Sequence, residues 1–262
     1  MNKTIYIITM VCAGLLTYCT PSSETQNTES AMDRNVEAEG GPNMLTAAEK
    51  EAGWELLFDG VSADQWRGYN LEAFPEQGWT ITDGQLIVEK PEAGHSGGGD
   101  LITKNKYSNF ELMLDFMATD SANSGILYLA VENEGDEIWY SAPEFQILDN
   151  QTYISKADGR DVSKQLTAAN YDLQAPPEDY TKSVGEWNTA RIVVDDGHVE
   201  HWLNGHKTAE YLINSADWKT MVANSKFSKH PQYGQAEEGY IGLQDHGHEV
   251  RFRNIKIREI QQ

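Results

Sequence analysis

Three short stretches place ionisable or amide side chains inside otherwise apolar strands. In Pro143-Glu144-Phe145-Gln146-Ile147-Leu148-Asp149, two-residue alternation sets Glu144, Gln146 and Leu148 on one face, with Phe145 and Ile147 on the other. In Tyr240-Ile241-Gly242-Leu243-Gln244-Asp245-His246, Tyr240, Gly242, Gln244 and His246 share a face, and Gly242 leaves room for something to approach the sheet closely. In His198-Val199-Glu200-His201-Trp202-Leu203, His201 points the same way as Val199 and Leu203, which marks an interior histidine that still counts as a candidate acid. Trp139, just ahead of Glu144, is the aromatic best placed for a site rim. A carboxylate, a histidine and two amides beside an aromatic ring suit a sugar: ring face against C–H groups, polar tips for hydroxyls. A solvent-exposed sheet face would show the same alternation, so the pattern of Glu144 and Gln146 has two readings.

Other signatures are missing. Gly97-Gly98-Gly99 has no helix behind it, so it reads as a turn and not as a phosphate cradle, and neither a G-x-S-x-G elbow nor an H-E-x-x-H helix occurs.

The elements that must position these residues are almost all strands. Asp83-Gly84, Asp196-Gly197 and Asn204-Gly205 separate alternating runs, the signature of tight hairpins. Residues 110–117 alternate Phe110, Leu112, Leu114 and Phe116 against polar or flexible neighbours, and 124–132 form a more continuously apolar strand. In the last segment Val250 and Phe252 are out of phase with Ile255 and Ile257, which predicts a bulge near Arg253-Asn254. One convincing helix is expected over 217–225 with Ser215 as its cap, and residues 44–51 suit one short helical turn. Residues 150–186 lack periodicity and read as a long excursion over one sheet. The expected fold is all-β: an antiparallel jelly-roll β-sandwich with one short helix.

The N-terminus carries Lys3 and an apolar run over 5–16, short for a membrane span and right for a signal-peptide core. The run ends in Leu16-Thr17-Tyr18-Cys19, which resembles a bacterial lipobox with Tyr18 in place of the usual small residue. The expected organisation is a lipoprotein leader at 1–18, a polar disordered tether at 19–43 and a domain at 44–262, anchored through Cys19 in the periplasm or at the cell surface. The only two cysteines, Cys12 and Cys19, lie in that leader region, so the folded part has no disulfide and no thiolate chemistry. The chain has 41 acidic against 20 basic residues, a net charge of −21; losing Lys3 with the leader makes it −22. Nucleic acid is excluded as a partner, because its phosphates need Lys and Arg.

Blocks spread along the chain carry a resemblance. They are Gly53-Trp54-Glu55-Leu56-Leu57-Phe58-Asp59-Gly60, Asn123-Ser124-Gly125-Ile126, the Glu144 strand, Gly185-Glu186-Trp187-Asn188, His201-Trp202-Leu203-Asn204-Gly205, and Gly242-Leu243-Gln244-Asp245-His246-Gly247 followed by Phe252-Arg253-Asn254-Ile255-Lys256-Ile257. In order and in kind they resemble the 3-keto-disaccharide hydrolase family, over nearly all of 53–260. The resemblance implies a concanavalin-like jelly roll and an exported enzyme. Many members carry Arg shortly after the N-S-G-I block, where this chain has Leu129, which puts a substrate contact at that position in doubt.

It also implies a chemistry. A ketone at C3 of a glucoside acidifies the C2 proton; its removal lets the C1 substituent leave, and water adds back to the resulting glucal. Such a site needs a base near C2, an electrophile at the C3 oxygen and a donor for the leaving oxygen. Glu144 suits the base, and His246 or His201 the acid or electrophile. Trp139, Gln146, Asp149 and Gln244 suit substrate binding, and Asp149 and Asp245 are candidate ligands for a divalent cation that polarises the ketone. No cofactor is required, since the oxidation is made upstream by a glycoside 3-dehydrogenase. Two other readings stay open: a non-catalytic carbohydrate-binding module and an ordinary two-carboxylate glycosidase.

Overall fold

The computed structural model describes residues 41–91 and 97–261. The expected leader, Cys19 and most of the tether lie outside the described residues. The first strands are β1 (Glu55–Leu56), β2 (Trp66–Gly68), β3 (Trp79–Thr82), β4 (Gln85–Val88), β5 (Leu101–Thr103), β6 (Phe110–Ala118) and β7 (Asn123–Ala130). They are followed by β8 (Glu144–Leu148), β9 (Asn188–Asp195), β10 (His198–Leu203), β11 (His206–Leu212), β12 (Tyr240–Leu243) and β13 (Val250–Glu259). An eight-stranded sheet runs β11-β10-β9-β6-β13-β4-β3 with β1 beside β13, and a five-stranded sheet runs β2-β5-β12-β7-β8. All pairings are antiparallel, which makes the molecule the jelly-roll sandwich that the sequence implies.

Turn chemistry sets the register. Asp83 and Gly84, Asp196 and Gly197, and Asn204 and Gly205 all have positive φ, the conformation a two-residue hairpin needs to match strand twist. The bulge in β13 falls between Arg253 and Lys256, with Asn254 at φ 54°. It puts Val250 and Phe252 in phase with Ile255 and Ile257, and all four are buried.

The inner faces meet in one core, where Phe110, Leu112, Leu114 and Phe116 of β6 pack with Ile126 and Tyr128 of β7 and Phe145 and Ile147 of β8. A second, smaller apolar cluster lies on the outer face of the five-stranded sheet: Ile102, Leu127, Ala130, Ile138 and Ala142. That outer face is therefore covered in part, and its side chains are not free in solvent.

Two expectations need correction. The helix expected over 217–225 is Ala216–Ala223 (α3), capped by Ser215, and the turn expected at 44–51 is α1 (Ala47–Glu51), but a further helix, α2 (Asn150–Ser155), opens the stretch read as a loop. The domain also begins before residue 44. Asn43 is buried, exchanges backbone and side-chain hydrogen bonds with Asn254 at 2.6 and 2.7 Å, and donates to Gly84 O at 2.8 Å.

Candidate active site

The outer face of the five-stranded sheet has two adjacent rows across β12, β7 and β8. In one row Gln244 N–H donates to Gly125 O at 3.0 Å, and Gly125 is paired with Gln146. In the next, Gly242 pairs with Leu127 and Leu127 with Glu144. Each glycine opens space for a particular neighbour. A Cβ on Gly125 would lie 2.3 Å from Glu144 Oε1, so the carboxyl leans out of its own row and over the Gly125 backbone. A Cβ on Gly242 would lie 2.7 Å from Ile138 Cδ1. The close approach expected at Gly242 is therefore made by the 3-10 turn Ile138–Tyr140, which sets Trp139 at the rim.

The long excursion returns to close the other side. Along β8, Ala168 N–H donates to Gln146 O at 2.8 Å and Tyr171 N–H to Glu144 O at 3.1 Å, so residues 168–171 cover the free edge of the strand. This brings Tyr171 beside Glu144. From the far side, the 3-10 turn Lys226–Lys229 brings Lys226, whose Nζ lies 4.1 Å from the Tyr171 ring centre and 5.0 Å from that of Trp139. The result is a pocket of about 210 Å³ lined by Asn123, Trp139, Glu144, Gln146, Tyr171, Lys226, Gln244 and His246. Four larger hollows, of about 570 Å³ beside Arg253, 640 Å³ beside α2, 270 Å³ beside Trp218 and 320 Å³ beside Ile213, do not include Glu144.

Glu144 and Gln146 are 4% and 3% exposed, which rules out the reading of a plain solvent-facing pair. Burial pushes the Glu144 carboxyl up to about 8; Lys226 opposes the shift and Asp100 adds to it. Gln146 is its hydrogen-bonding neighbour. With its amide turned, the nitrogen donates to Glu144 Oε1 at 2.7 Å and to Ser124 O at 3.0 Å. Gln244 is 9% exposed, and His246 stands exposed at the mouth. This is a carboxyl near neutrality, adjacent to a cation and rimmed by aromatic rings: a group equipped to take or give one proton.

Of the sequence candidates, Trp139, Glu144, Gln146, Gln244 and His246 come together here, and His201, Asp149 and Asp245 do not line the pocket. His201 is wholly buried on the core side of β10, with Nε2 2.8 Å from the Tyr128 hydroxyl, which in turn bonds Tyr211. Burial drops its pKa to about 3, so it is a neutral core histidine and has no access to a ligand in the pocket. Asp149 caps α2. Its two oxygens accept from Thr152 N–H at 3.1 Å and Ser121 N–H at 2.9 Å, and these bonds outweigh burial and hold the carboxyl below its ordinary value. Asp245 likewise accepts from Gly99 N–H at 3.1 Å and Gly247 N–H at 2.9 Å. The two aspartates are committed to backbone donors at separate places. Among the described residues the one grouping with metal-ligand spacing is His198, Glu200 and Glu210 on the other sheet. Lys207 already sits between its two glutamates, at 3.1 and 2.6 Å.

Leu129, where the resemblance implies an arginine, is 2% exposed and belongs to the core, at a bulge where β7 slips against β12. Its φ of 52° is part of that bulge. The position does not line the pocket. Sequence reasoning passed over Asn123, Tyr171 and Lys226. Asn123 stood inside a quoted block, whereas nothing local to Tyr171 or Lys226 tells that the fold carries them to Glu144.

The fold and pocket define a concanavalin-like jelly roll with a buried acid on one outer sheet face. The chain belongs to the family of the 3-keto-alpha-glucoside-1,2-lyase-like domain, whose profile matches residues 53–258. It is 34% identical to a Bacteroides thetaiotaomicron protein named 3-keto-disaccharide hydrolase, over 98% of this chain and 99% of that one. A crystal structure from Parabacteroides distasonis, of a protein provisionally named a glycosyl hydrolase, superposes with a TM-score of 0.76 at 32% identity, covering 84% of this chain and all of that one. A second from the same organism gives 0.59 at 28% identity, over 79% of this chain and 99% of the other.

Proposed function

We propose that the protein cleaves 3-keto-glycosides, Glu144 acting as the base that removes the C2 proton. The observation that carries this is the Glu144 carboxyl itself: buried over Gly125, its pKa raised to about 8, in a sugar-sized polar pocket with an aromatic rim. A carboxylate of raised basicity is the better partner for a weakly acidic C–H.

The chemistry of the substrate orders the steps. Glu144 takes the C2 proton, and the electron pair passes into the C2–C3 bond and onto the C3 oxygen. The C1–O bond then breaks to give the 2-hydroxy-3-keto-glucal, and the departing oxygen takes a proton, for which exposed His246 at the mouth is the donor. The Glu144 proton then exchanges with solvent, water gives its hydroxyl to C1 and its proton to the His246 imidazole, and Glu144 delivers a solvent-derived proton to C2, so the net change is hydrolysis. Gln146, Gln244 and Asn123 offer amides to the ring hydroxyls, and Trp139 offers a ring face. The sequence of steps draws on the acidity conferred by the ketone, and an upstream glycoside 3-dehydrogenase must supply that ketone. Among the described residues lining the pocket Glu144 is the one carboxylate, which disfavours a two-carboxylate glycosidase.

The test is to incubate the protein with a 3-keto-disaccharide and, separately, with the unoxidised parent disaccharide. Turnover of the ketone alone supports the proposal. Turnover of the parent points to ordinary glycosidase chemistry, and binding of either without turnover points to a carbohydrate-binding module.

A further inference from the structure

We propose that Lys226 is the electrophile of this site, its ammonium donating to the C3 oxygen of the substrate as negative charge gathers there; this rests on the 3-keto-glycoside reading above. The sequence offered histidines for that part. His201 is sealed in the core, and His246 is taken by the leaving oxygen. Among the described residues lining the pocket, Lys226 is the one Lys or Arg.

Its placement suits the task. The turn that carries it is fixed at its start by Ser225, whose hydroxyl accepts from Phe227 N–H at 3.1 Å, and by Phe227, which is buried and stacked on Tyr233 at 3.9 Å. The residue as a whole is exposed, but its ammonium lies against three ring faces: Tyr171 at 4.1 Å, Trp139 at 5.0 Å and Phe227 at 5.2 Å. Ring faces hold a cation in position without using its N–H donors, which a carboxylate would take. No ion pair to Lys226 occurs among the described residues, and the acidic groups that act on it, Glu144 and Asp172, do so only through space. Its donors are therefore left for a ligand. A base and a fixed cation facing one pocket are what formation of an enolate requires: the proton leaves toward Glu144 while charge accumulates on an oxygen beside Lys226. The cation also keeps the Glu144 pKa from rising further.

The test is Lys226→Met, which keeps an apolar stem over the rings and removes the charge, assayed on a 3-keto-glucoside beside the wild type. The expected result is a fall in kcat of about 10²- to 10³-fold with KM changed by no more than about threefold. The apparent pKa of the pH–rate profile should also move upward, because the cation that lowers the Glu144 pKa is gone. A purely structural lysine would not move that profile. A variant that keeps kcat within about threefold, or keeps the wild-type profile, overturns the role while leaving the 3-keto-glycoside activity standing. A borohydride-stable substrate adduct on Lys226 also overturns it, in favour of a covalent imine. A wild type inert toward every 3-keto-glucoside overturns the activity, and this role with it.

Discussion

Gly125 and Glu144 occupy the same small volume from two strands: a single methyl on residue 125 would stand 2.3 Å from Glu144 Oε1 and 2.8 Å from its Cγ and Cδ. Three atoms of a buried side chain cannot all give way within the pocket. Gly125→Ala is therefore expected to swing the carboxyl off its position and cut turnover by about 10²-fold, the scale at which a misplaced group costs catalysis. A β-type circular-dichroism spectrum should persist. Near-normal kcat in a folded Gly125→Ala protein would show that the position of the carboxyl does not matter.

Glu144 should also leave a mark on stability. Its folded pKa of about 8 lies above the ordinary 4.5, so between those values the unfolded chain releases a proton that the folded protein keeps. This contribution to stability is whole below about pH 4.5 and declines as pH rises toward 8, at about 1.4 kcal/mol per unit. Glu144→Gln removes the effect. The melting temperature of the variant, taken relative to wild type, should climb between pH 5 and pH 8; a constant difference would mean that the carboxyl ionises normally.

The same group sets the rate. If the carboxylate is the base, kcat/KM rises with pH toward an apparent pKa near 8 and falls again where the proton donors of the site are lost. A profile that is flat from pH 6 to 9 would contradict the assignment.

His201 is expected to act on stability alone. His201→Ala opens a cavity among Tyr128, Tyr211 and Phe145 and strips the Tyr128 hydroxyl of a partner. A loss of about 3 kcal/mol follows, measured by denaturant titration, with turnover per folded molecule within twofold of wild type. A large drop in kcat without a loss of stability would return His201 to the active site.

Why some of this was legible in the sequence and some was not follows from the range of the interactions. Asp83-Gly84, Asp196-Gly197 and Asn204-Gly205 announce their hairpins because positive φ is a local requirement, and the phase slip at Arg253-Asn254 announces its bulge for the same reason. Glu144, Gln146 and Gln244 are visible because a polar residue in an apolar strand interrupts a two-residue pattern. Lys226 and Tyr171 reach the pocket only through tertiary contacts, along the edge of β8 and over the ring of Trp139. Asp149 was a misreading of a local signal: it stands three residues before Thr152 as a helix cap, and α2 went unseen with it. Asn43 was assigned to the tether because its neighbours are polar, yet its side chain is tied to Asn254 211 residues away.

The start of the domain can be tested by truncation. A protein beginning at Gly41 should melt as the full chain does, whereas one beginning at Met44 loses three hydrogen bonds of about 1 kcal/mol each. It should melt lower by about 5 °C or more. Equal melting temperatures would show that Asn43 adds nothing. Further upstream, the anchoring of Cys19 stands as a proposal, and loss of lipid labelling in Cys19→Ser would support it.

The central claim, elimination begun by Glu144 and followed by hydration, is met most directly by running the reaction in D₂O and examining C2 of the 3-keto-glucose released in early turnover. Elimination breaks the original C2–H bond and the Glu144 proton exchanges with solvent before C2 is reprotonated, so C2 should carry deuterium in step with glycoside cleavage, and Glu144→Gln should lose both together. Product that retains its original C2 hydrogen while the glycosidic bond is cleaved at the normal rate would contradict the account.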